Sequence, residues 1–287
     1  MTEQIFLIGC GRLGRAMALA LSETVHRIIG CFDLDTAAAE ALSACLSGCL
    51  PVEAIDQAPT DTTLVLVAVP DAAIEGIGQA LSQSVLCRPA CLWVHTSGLW
   101  PAEKLGRGGV VLRGSLHPAM LYPAGGEVRF SGVPMAVEGD ALALPRLMAL
   151  ARALHADPME IPAAQKTLYH AACVMASNLL VGLLAATTDV ATLIRPEAGL
   201  QWLFPIIRAT LDEVEKKGAA ATLTGPVKRG DVETVTSHLA ALSKTAPEML
   251  PLYRVLSSVL VQLAQEEGLL ENRAEALQTL LQEPASH

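Results

Sequence analysis

The sequence is short of positive charge. Twenty lysines and arginines stand against 29 acidic residues, giving a formal net charge of −9 over 287 residues. Such a surface has no general attraction for nucleic acid or an anionic membrane, both polyanions, so neither is expected as a partner. One local anion site remains compatible with that balance. Paired cysteines are lacking too. The seven (Cys10, Cys31, Cys45, Cys49, Cys87, Cys91 and Cys173) are odd in number, contain no CxxC and sit mostly in apolar segments. This argues against a disulfide scaffold and for a reducing, cytoplasmic compartment. The start, MTEQIFLIGCGRLG, carries Glu3 and no basic stretch, and does not read as a signal peptide. Internal repeats and low-complexity tracts are absent. What is present is 52% apolar residues, enough for a buried core in one large domain or two ordinary ones.

One uncharged run raises the membrane question. Residues 171–188, AACVMASNLLVGLLAATT, reach the lower end of a spanning length. Ser177, Asn178 and several threonines and alanines dilute the run, it stands alone, and Lys166 and His170 precede it. It reads as a helix buried between domains or subunits, not as a span.

Hydrophobic periodicity divides the chain. Apolar strand-like runs at 5–8, 27–32, 64–69 and 91–95 alternate with helical patterns at 12–23, 36–46 and 72–81, and runs at 110–113 and 134–137 extend the series. Near-continuous apolar strands separated by helices predict an α/β fold, a mostly parallel Rossmann-like sheet covered on both faces. After Pro158 and Pro162 only helical patterns remain, at 163–190, 198–217, 231–244, 248–266 and 271–281. The expected organisation is a dinucleotide-binding domain over residues 1–158 and an all-helical substrate and dimerisation domain over 159–287, with the boundary between Ala156 and Pro162.

The first turn carries the strongest motif. Gly9, Gly11 and Gly14 in IFLIGCGRLGRA form GxGxxG between an apolar strand and an apolar helix. Gly9 permits the tight turn, Gly11 lets a pyrophosphate approach the backbone, and Gly14 lets helix and strand pack closely. Free N–H groups at the helix start then face the phosphates, flanked by Arg12 and Leu13. Asp33 ends the second strand, where a carboxylate suits the hydroxyls of an adenosine ribose and repels a 2′-phosphate. LDTAAAE after it supplies no cation, so NAD is favoured over NADP, with Arg12 and Arg15 the groups that keep NADP open. Asp33 has a structural alternative as a helix cap, and Asp35 is a less well placed candidate.

Ligands in this architecture bind beyond the carboxyl ends of the strands. Val69 and Pro70 leave the third strand there, and Asp71 is expected to cap the next helix. Ser97 and Gly98 in WVHTSGLW are placed to reach the nicotinamide, and His95 a substrate, with a satisfied, partly buried histidine as the alternative reading of His95. His117 in GSLHPAM precedes a proline and is expected in a rigid loop at the substrate. His95 and His117 lack a third ligand at a familiar spacing, so no metal is expected. In KTLYHAACVMASN, Lys166, His170, Cys173 and Ser177 share one helix face, with Tyr169 at its border and Asn178 further round. Lys166 and His170 are the candidates for delivering a proton to a developing oxyanion, and Tyr169 and Asn178 for touching substrate.

LTGPVKRGD, residues 223–231, sets Lys228 and Arg229 before a helix start with Asp231 as its N-cap. Two cations beside unpaired N–H groups suit a carboxylate or phosphate. The expectation is a loop that closes over the nicotinamide cleft, with Arg229 gripping the acidic group of a small anionic substrate; a salt-bridged turn is the alternative. His238 lies on roughly the same face as Asp231.

In order, GCGRLG, AVPD, VHTSG, SLHP, YHAAC, ASN and LTGPVKRGD span nearly the whole chain, and the set resembles a little-characterised bacterial family with a Rossmann-like N-terminal domain and a helical C-terminal domain of unknown function. That family is in turn similar to pyrroline-5-carboxylate reductase, ketopantoate reductase and the β-hydroxyacid dehydrogenases. The resemblance implies a nicotinamide cofactor on Gly9, Gly11 and Gly14, and a helical domain that makes a homodimer. β-Hydroxyacid dehydrogenases use a lysine and an asparagine four residues later. Lys166 matches the lysine, but His170 stands in the other place. The family's second strand often ends in basic residues or serines suited to NADP, and Asp33 departs from that. The reading is an oxidoreductase passing hydride between NAD(P) and a small carbonyl, imine or hydroxy acid, with a non-catalytic dinucleotide sensor as the alternative.

Overall fold

The computed structural model describes residues 2–106, 109–121 and 128–282. The chain divides into two compact units, Met1–Ser177 and Asn178–His287.

The first unit is built on eight strands: β1 (Gln4–Ile8), β2 (Arg27–Phe32), β3 (Leu50–Pro51), β4 (Leu64–Val67), β5 (Leu92–His95), β6 (Leu112–Pro118), β7 (Pro134–Gly139) and β8 (Asp157–Glu160). Their order is β3-β2-β1-β4-β5-β6-β7-β8. β1 to β6 run parallel. β7 turns back against β6, and β8 runs with β7. The parallel arrangement follows from the apolar runs: LVLV in β4 and LWVH in β5 are buried at every residue, so both faces need cover. Side chains alternate between the faces. Ile5 and Leu7 join Met17, Leu21, Leu42 and Leu147 from α1 (Arg12–Ser22), α2 (Thr36–Ser43) and a later helix, Leu144–Ala153. Phe6 and Ile8 pack with Val65, Trp93, Ile74 and Leu81, the last two from α3 (Ile74–Ser82). Burying each such side chain contributes about 1.5–3 kcal/mol.

The amino-terminal edge of the sheet is held by a buried ion pair. On α4 (Leu144–Ala153), Arg146 donates from Nε to Glu3 Oε1 at 2.8 Å and from Nη2 to Glu3 Oε2 at 2.7 Å. Thr63 Oγ1 adds a third bond to the carboxylate at 2.5 Å. Burial alone would raise the Glu3 carboxyl, but these donors outweigh it and hold it below its ordinary value.

Several expectations shift. β6 runs on through His117, which pairs with Ala136, so GSLHP is strand and not loop. Pro118 does not break it because it is the final strand residue. α4 and β8 fall outside the patterns read from sequence. β8, DPME, carries two acids and a proline and is mostly exposed, so it shows no apolar alternation. Asp71 makes no capping bond at the turn it opens. The units part at Ser177, later than the Ala156–Pro162 boundary, because α5 (Lys166–Val174) belongs with the sheet.

The second unit is helical: α6 (Leu180–Ile194), α7 (Phe204–Lys217), α8 (Ala219–Thr222), α9 (Gly225–Arg229), α10 (Val232–Thr245), α11 (Leu250–Glu266) and α12 (Glu271–Gln282). Val227, Val235, Leu239, Leu250, Val261 and Leu277 are among its core residues. Between α5 and α6, Met175–Leu179 forms a π turn. The apolar run expected to be buried is not covered by this chain. Ala163–Ile194 is long and apolar enough to cross a membrane by length and composition, and 0% of its apolar window is buried.

Candidate functional site

The carboxyl ends of β1, β4, β5 and β6 lie on one edge because those strands are parallel. The glycine-rich turn leaves β1 at that edge. Gly9 has φ +97°, and a Cβ there would lie 2.4 Å from Ala68 O. A Cβ on Gly14 would lie 1.9 Å from Gly9 O. Gly11, at the N-cap of α1, has nothing within 4 Å of its Cβ position. Two glycines are therefore demanded by packing, and the middle one faces open space where a ligand can meet the backbone. Arg12 beside it is exposed, and Leu13 packs on the core.

Asp33 is tied into this turn. Its Oδ2 accepts from Cys10 N at 2.6 Å and its Oδ1 from Asp35 N at 2.9 Å. The helix-capping role falls instead to Asp35, which accepts from Ala37 N at 3.1 Å. Asp33 thus stays half-exposed at the end of β2 with its carboxylate fixed by two amides. Val69, half-buried, and Pro70, exposed, follow β4 at the same edge.

Beyond β5 and β6 lies a polar cluster. His95 is fully buried. Its Nδ1 accepts from Ser97 N at 3.1 Å and its Nε2 meets Pro101 O at 3.1 Å. Burial pushes its pKa down to about 4. With both nitrogens used inside the loop, His95 shapes the turn and has none left for the substrate assigned to it from sequence. Ser97 is similarly committed: its Oγ accepts from Leu99 N and Trp100 N, each at 3.1 Å. Its carbonyl takes bonds from Ser115 Oγ at 3.1 Å and Lys166 Nζ at 2.8 Å.

Lys166 is 1% exposed, and its Nζ also donates to Ser115 Oγ at 2.5 Å. Burial lowers its pKa to about 8 against the opposing pull of Glu138 and Asp71. This lysine ties α5 to β6 and to the turn after β5. Sequence reading missed two of its surroundings. Ser115 lies two residues before His117, on the same face of β6 by strand alternation, and Glu138 is the partner of Ser115 across β6 and β7. Glu138 accepts from Ala102 N at 2.7 Å, and burial raises its carboxyl. A lone acid in PMAVEG was the available signal.

His117, Tyr169 and His170 come together above Gly98. His117 Nδ1 lies 2.8 Å from Tyr169 Oη, with the rings edge-on at 5.7 Å. The His170 ring stands edge-on to His117 at 6.1 Å. A Cβ on Gly98 would sit 2.8 Å from His170 Nδ1 and 2.9 Å from His117 Nε2, so the glycine makes room for both imidazoles. Burial first, then the Lys166 charge, pushes His117 down to about 4. Among the described residues, His170 Nδ1 is the buried side-chain nitrogen or oxygen without a hydrogen-bond partner. Leaving such an atom unpaired costs about 1–3 kcal/mol, so this nitrogen calls for a partner that the described side chains do not supply.

Cys173 is half-buried, and Ser177 Oγ donates to Cys173 O at 2.8 Å. Asn178 is exposed in the π turn. In the second unit, LTGPVKRGD is mostly α9, not an open loop. Gly230, at φ +65°, ends it, and Asp231 caps α10 by accepting from Thr234 N at 3.0 Å. Lys228 Nζ lies 3.5 Å from Glu267 Oε2, and Arg229 Nη2 lies 4.0 Å from Asp231 Oδ2. His238 bonds Tyr253 Oη through Nδ1 at 2.8 Å.

Residues 3–118 match a Rossmann-like domain, and residues 133–260 match a domain of unknown function, DUF2520. No curated protein matches the sequence. Among solved structures, protein TM1727 from Thermotoga maritima is 25% identical, with TM-score 0.76, 92% of this chain covered and 99% of that one. BF3122 from Bacteroides fragilis, proposed to be an NADP oxidoreductase, is 24% identical, with TM-score 0.73 and coverage of 90% and 98%. An imine reductase from Myxococcus stipitatus in complex with NADP+ is 18% identical, with TM-score 0.56 and coverage of 97% and 92%.

Proposed function

We propose that this chain, a Rossmann-like domain followed by a DUF2520 domain, is an NAD(P)-dependent oxidoreductase acting on a small, anionic carbonyl, imine or hydroxy acid. The observation that carries the reading is the open Cβ position at Gly11 between the tightly packed Gly9 and Gly14. A pyrophosphate fits there, with the first N–H groups of α1 as donors. The bound nicotinamide supplies hydride chemistry, which no side chain provides. The likeness to BF3122 and to the NADP+-bound imine reductase supports the same class. The fixed carboxylate of Asp33 at the end of β2 favours NAD over NADP.

The polar cluster at Gly98 favours an enzyme over a sensor, because it sets proton-bearing groups on the strand edge that receives the nicotinamide. Ser97 contributes by holding the loop. Arg229 is 65% exposed and only loosely paired, and is the candidate for the acidic end of the substrate. The partner in assembly is a second copy of the chain. The exposed apolar residues of the helical unit support it, among them Val181 at 62%, Ile206 at 64% and Val255 at 64%. An exposed Asp189 within α6 disfavours lipid as their cover. Seven free thiols support a cytoplasmic setting.

The experiment is fluorescence titration of the full chain with NADH and NADPH, repeated on Asp33→Ala. The wild type binds NADH more tightly, and the variant loses that preference. Binding of neither cofactor at millimolar concentration sinks the reading, whereas tighter NADPH binding overturns only the role of Asp33.

A further inference from the structure

We infer that His170 polarises the reacting oxygen or nitrogen of the substrate, that it does so through Nε2–H, and that Gly98 is the positioning residue that fixes this tautomer. The inference rests on the oxidoreductase reading and deepens it: of the two side chains expected from sequence to serve the reacting atom, it selects one and assigns the nitrogen. Lys166 is enclosed at 1% exposure, and its ammonium group serves the Ser97 carbonyl and the Ser115 hydroxyl. His95 spends both nitrogens on Ser97 N and Pro101 O. His170, half-buried on α5, differs from both because its two nitrogens meet different surroundings.

His170 Nδ1 is buried and has no hydrogen-bond partner, so the nearby His117 Nε2 does not pair with it. The group that faces it is Gly98, where a Cβ would lie 2.8 Å away. Its neighbour there is therefore a backbone C–H. A bare lone pair tolerates a C–H and gains a weak contact from it, whereas an N–H in the same place would be a buried donor with nothing to accept it. A neutral imidazole carries a single hydrogen, which accordingly stands on Nε2. Nε2 makes no hydrogen bond to the described residues and is not among the buried unpaired atoms, so it is open to a ligand. A side chain at position 98 would displace the ring and release Nδ1 from this constraint.

The step balances with the cofactor already proposed. A carbonyl carbon gains a hydride, and the C–O π pair moves to oxygen. His170 Nε2–H donates a hydrogen bond to that oxygen and stabilises its growing negative charge, as a neutral imidazole can, while keeping its own hydrogen. Water supplies the proton that completes the alcohol, and the hydroxide left behind takes a proton from solvent. The net change is carbonyl, reduced cofactor and one proton to alcohol and oxidised cofactor. An imine follows the same path with nitrogen in place of oxygen.

The deciding experiment is a two-bond nitrogen–proton correlation spectrum of the full chain labelled in its seven histidines, recorded with the His170 ring neutral. His170 is assigned by His170→Gln, or by His170→Asn should the first fail to fold. The expected result is a single Nε2–H tautomer in the wild type and averaging between the two tautomers in Gly98→Ala. An Nδ1–H tautomer, or averaging in the wild type, overturns the inference whether or not a substrate is in hand; the wild-type spectrum decides alone if Gly98→Ala does not fold.

Turnover of pyruvate, glyoxylate and 1-pyrroline with the preferred cofactor gives a second readout. His170→Ala lowers kcat by about 10²–10³-fold. His170→Gln, whose amide sets an N–H near the place of Nε2, recovers more of kcat than His170→Asn, whose shorter amide reaches only the place of Nδ1. Undiminished kcat in His170→Ala, or His170→Asn equal to or above His170→Gln, also overturns the assignment. NADH titration separates the two failures: a wild type that does not bind cofactor sinks the oxidoreductase reading itself, while intact binding with the wrong tautomer sinks only the role of His170.

Discussion

Alanine at each glycine of the first turn should separate folding from cofactor binding. At Gly9 the new Cβ meets Ala68 O at 2.4 Å in a backbone conformation of φ +97°. The left-handed conformation costs an L residue about 1–2 kcal/mol, and overpacking against an immobile carbonyl about 1–3 more. Gly14→Ala avoids the first term but brings its Cβ within 1.9 Å of Gly9 O, which forces α1 away from β1. Gly9→Ala should lose about 2–5 kcal/mol of stability and Gly14→Ala about 1–3 kcal/mol. Gly11→Ala differs: φ is −63° and nothing lies within 4 Å of the Cβ. Its cost is the loss of a favourable N-cap residue, about 1 kcal/mol or less. That methyl nevertheless fills the space proposed for pyrophosphate. Losing one bond to a charged oxygen costs about 1.5–3 kcal/mol, or about 10–100-fold in Kd. Denaturant unfolding and NADH titration of the three variants supply the assay. Gly11→Ala binding NADH like wild type would refute the placement of the cofactor, and a fully stable Gly14→Ala would refute the packing argument.

Arg146→Met leaves the Glu3 carboxylate buried without its bidentate partner, and should cost about 3–5 kcal/mol in urea unfolding. Because the folded Glu3 pKa lies below its ordinary 4.5, its stabilisation is present above that pH and is lost as pH falls through the folded value; a variant with the wild-type acid limb would contradict the pair's role. Lys166 has a folded pKa of about 8 against 10.5. Between those values the unfolded chain holds more protons, so stability should rise with pH across that window in wild type and not in Lys166→Met. Ile206→Glu and Val255→Glu should turn a sedimenting dimer into a monomer, and a monomeric wild type at tens of micromolar would count against the second copy.

The parallel sheet was legible because its information is local. LVLV is apolar at every position and LWVH at every position but His95, and GCGRLG joins a strand to a helix within one turn. β8 was not legible, since DPME is held by its register beside β7 and carries no pattern of its own. The polar stripe shows the same limit at the site. Periodicity placed Lys166, His170, Cys173 and Ser177 on one face of a helix, and three different environments receive them. Lys166 is held between the turn after β5 and the middle of β6, His170 packs on Gly98 and His117, and Ser177 returns its hydroxyl to its own helix backbone. Helical spacing fixes direction about the axis but not what the direction meets. A lysine in such a stripe reads as an acid until Ser97 O and Ser115 Oγ, 69 and 51 residues away in sequence, are seen to take its hydrogens.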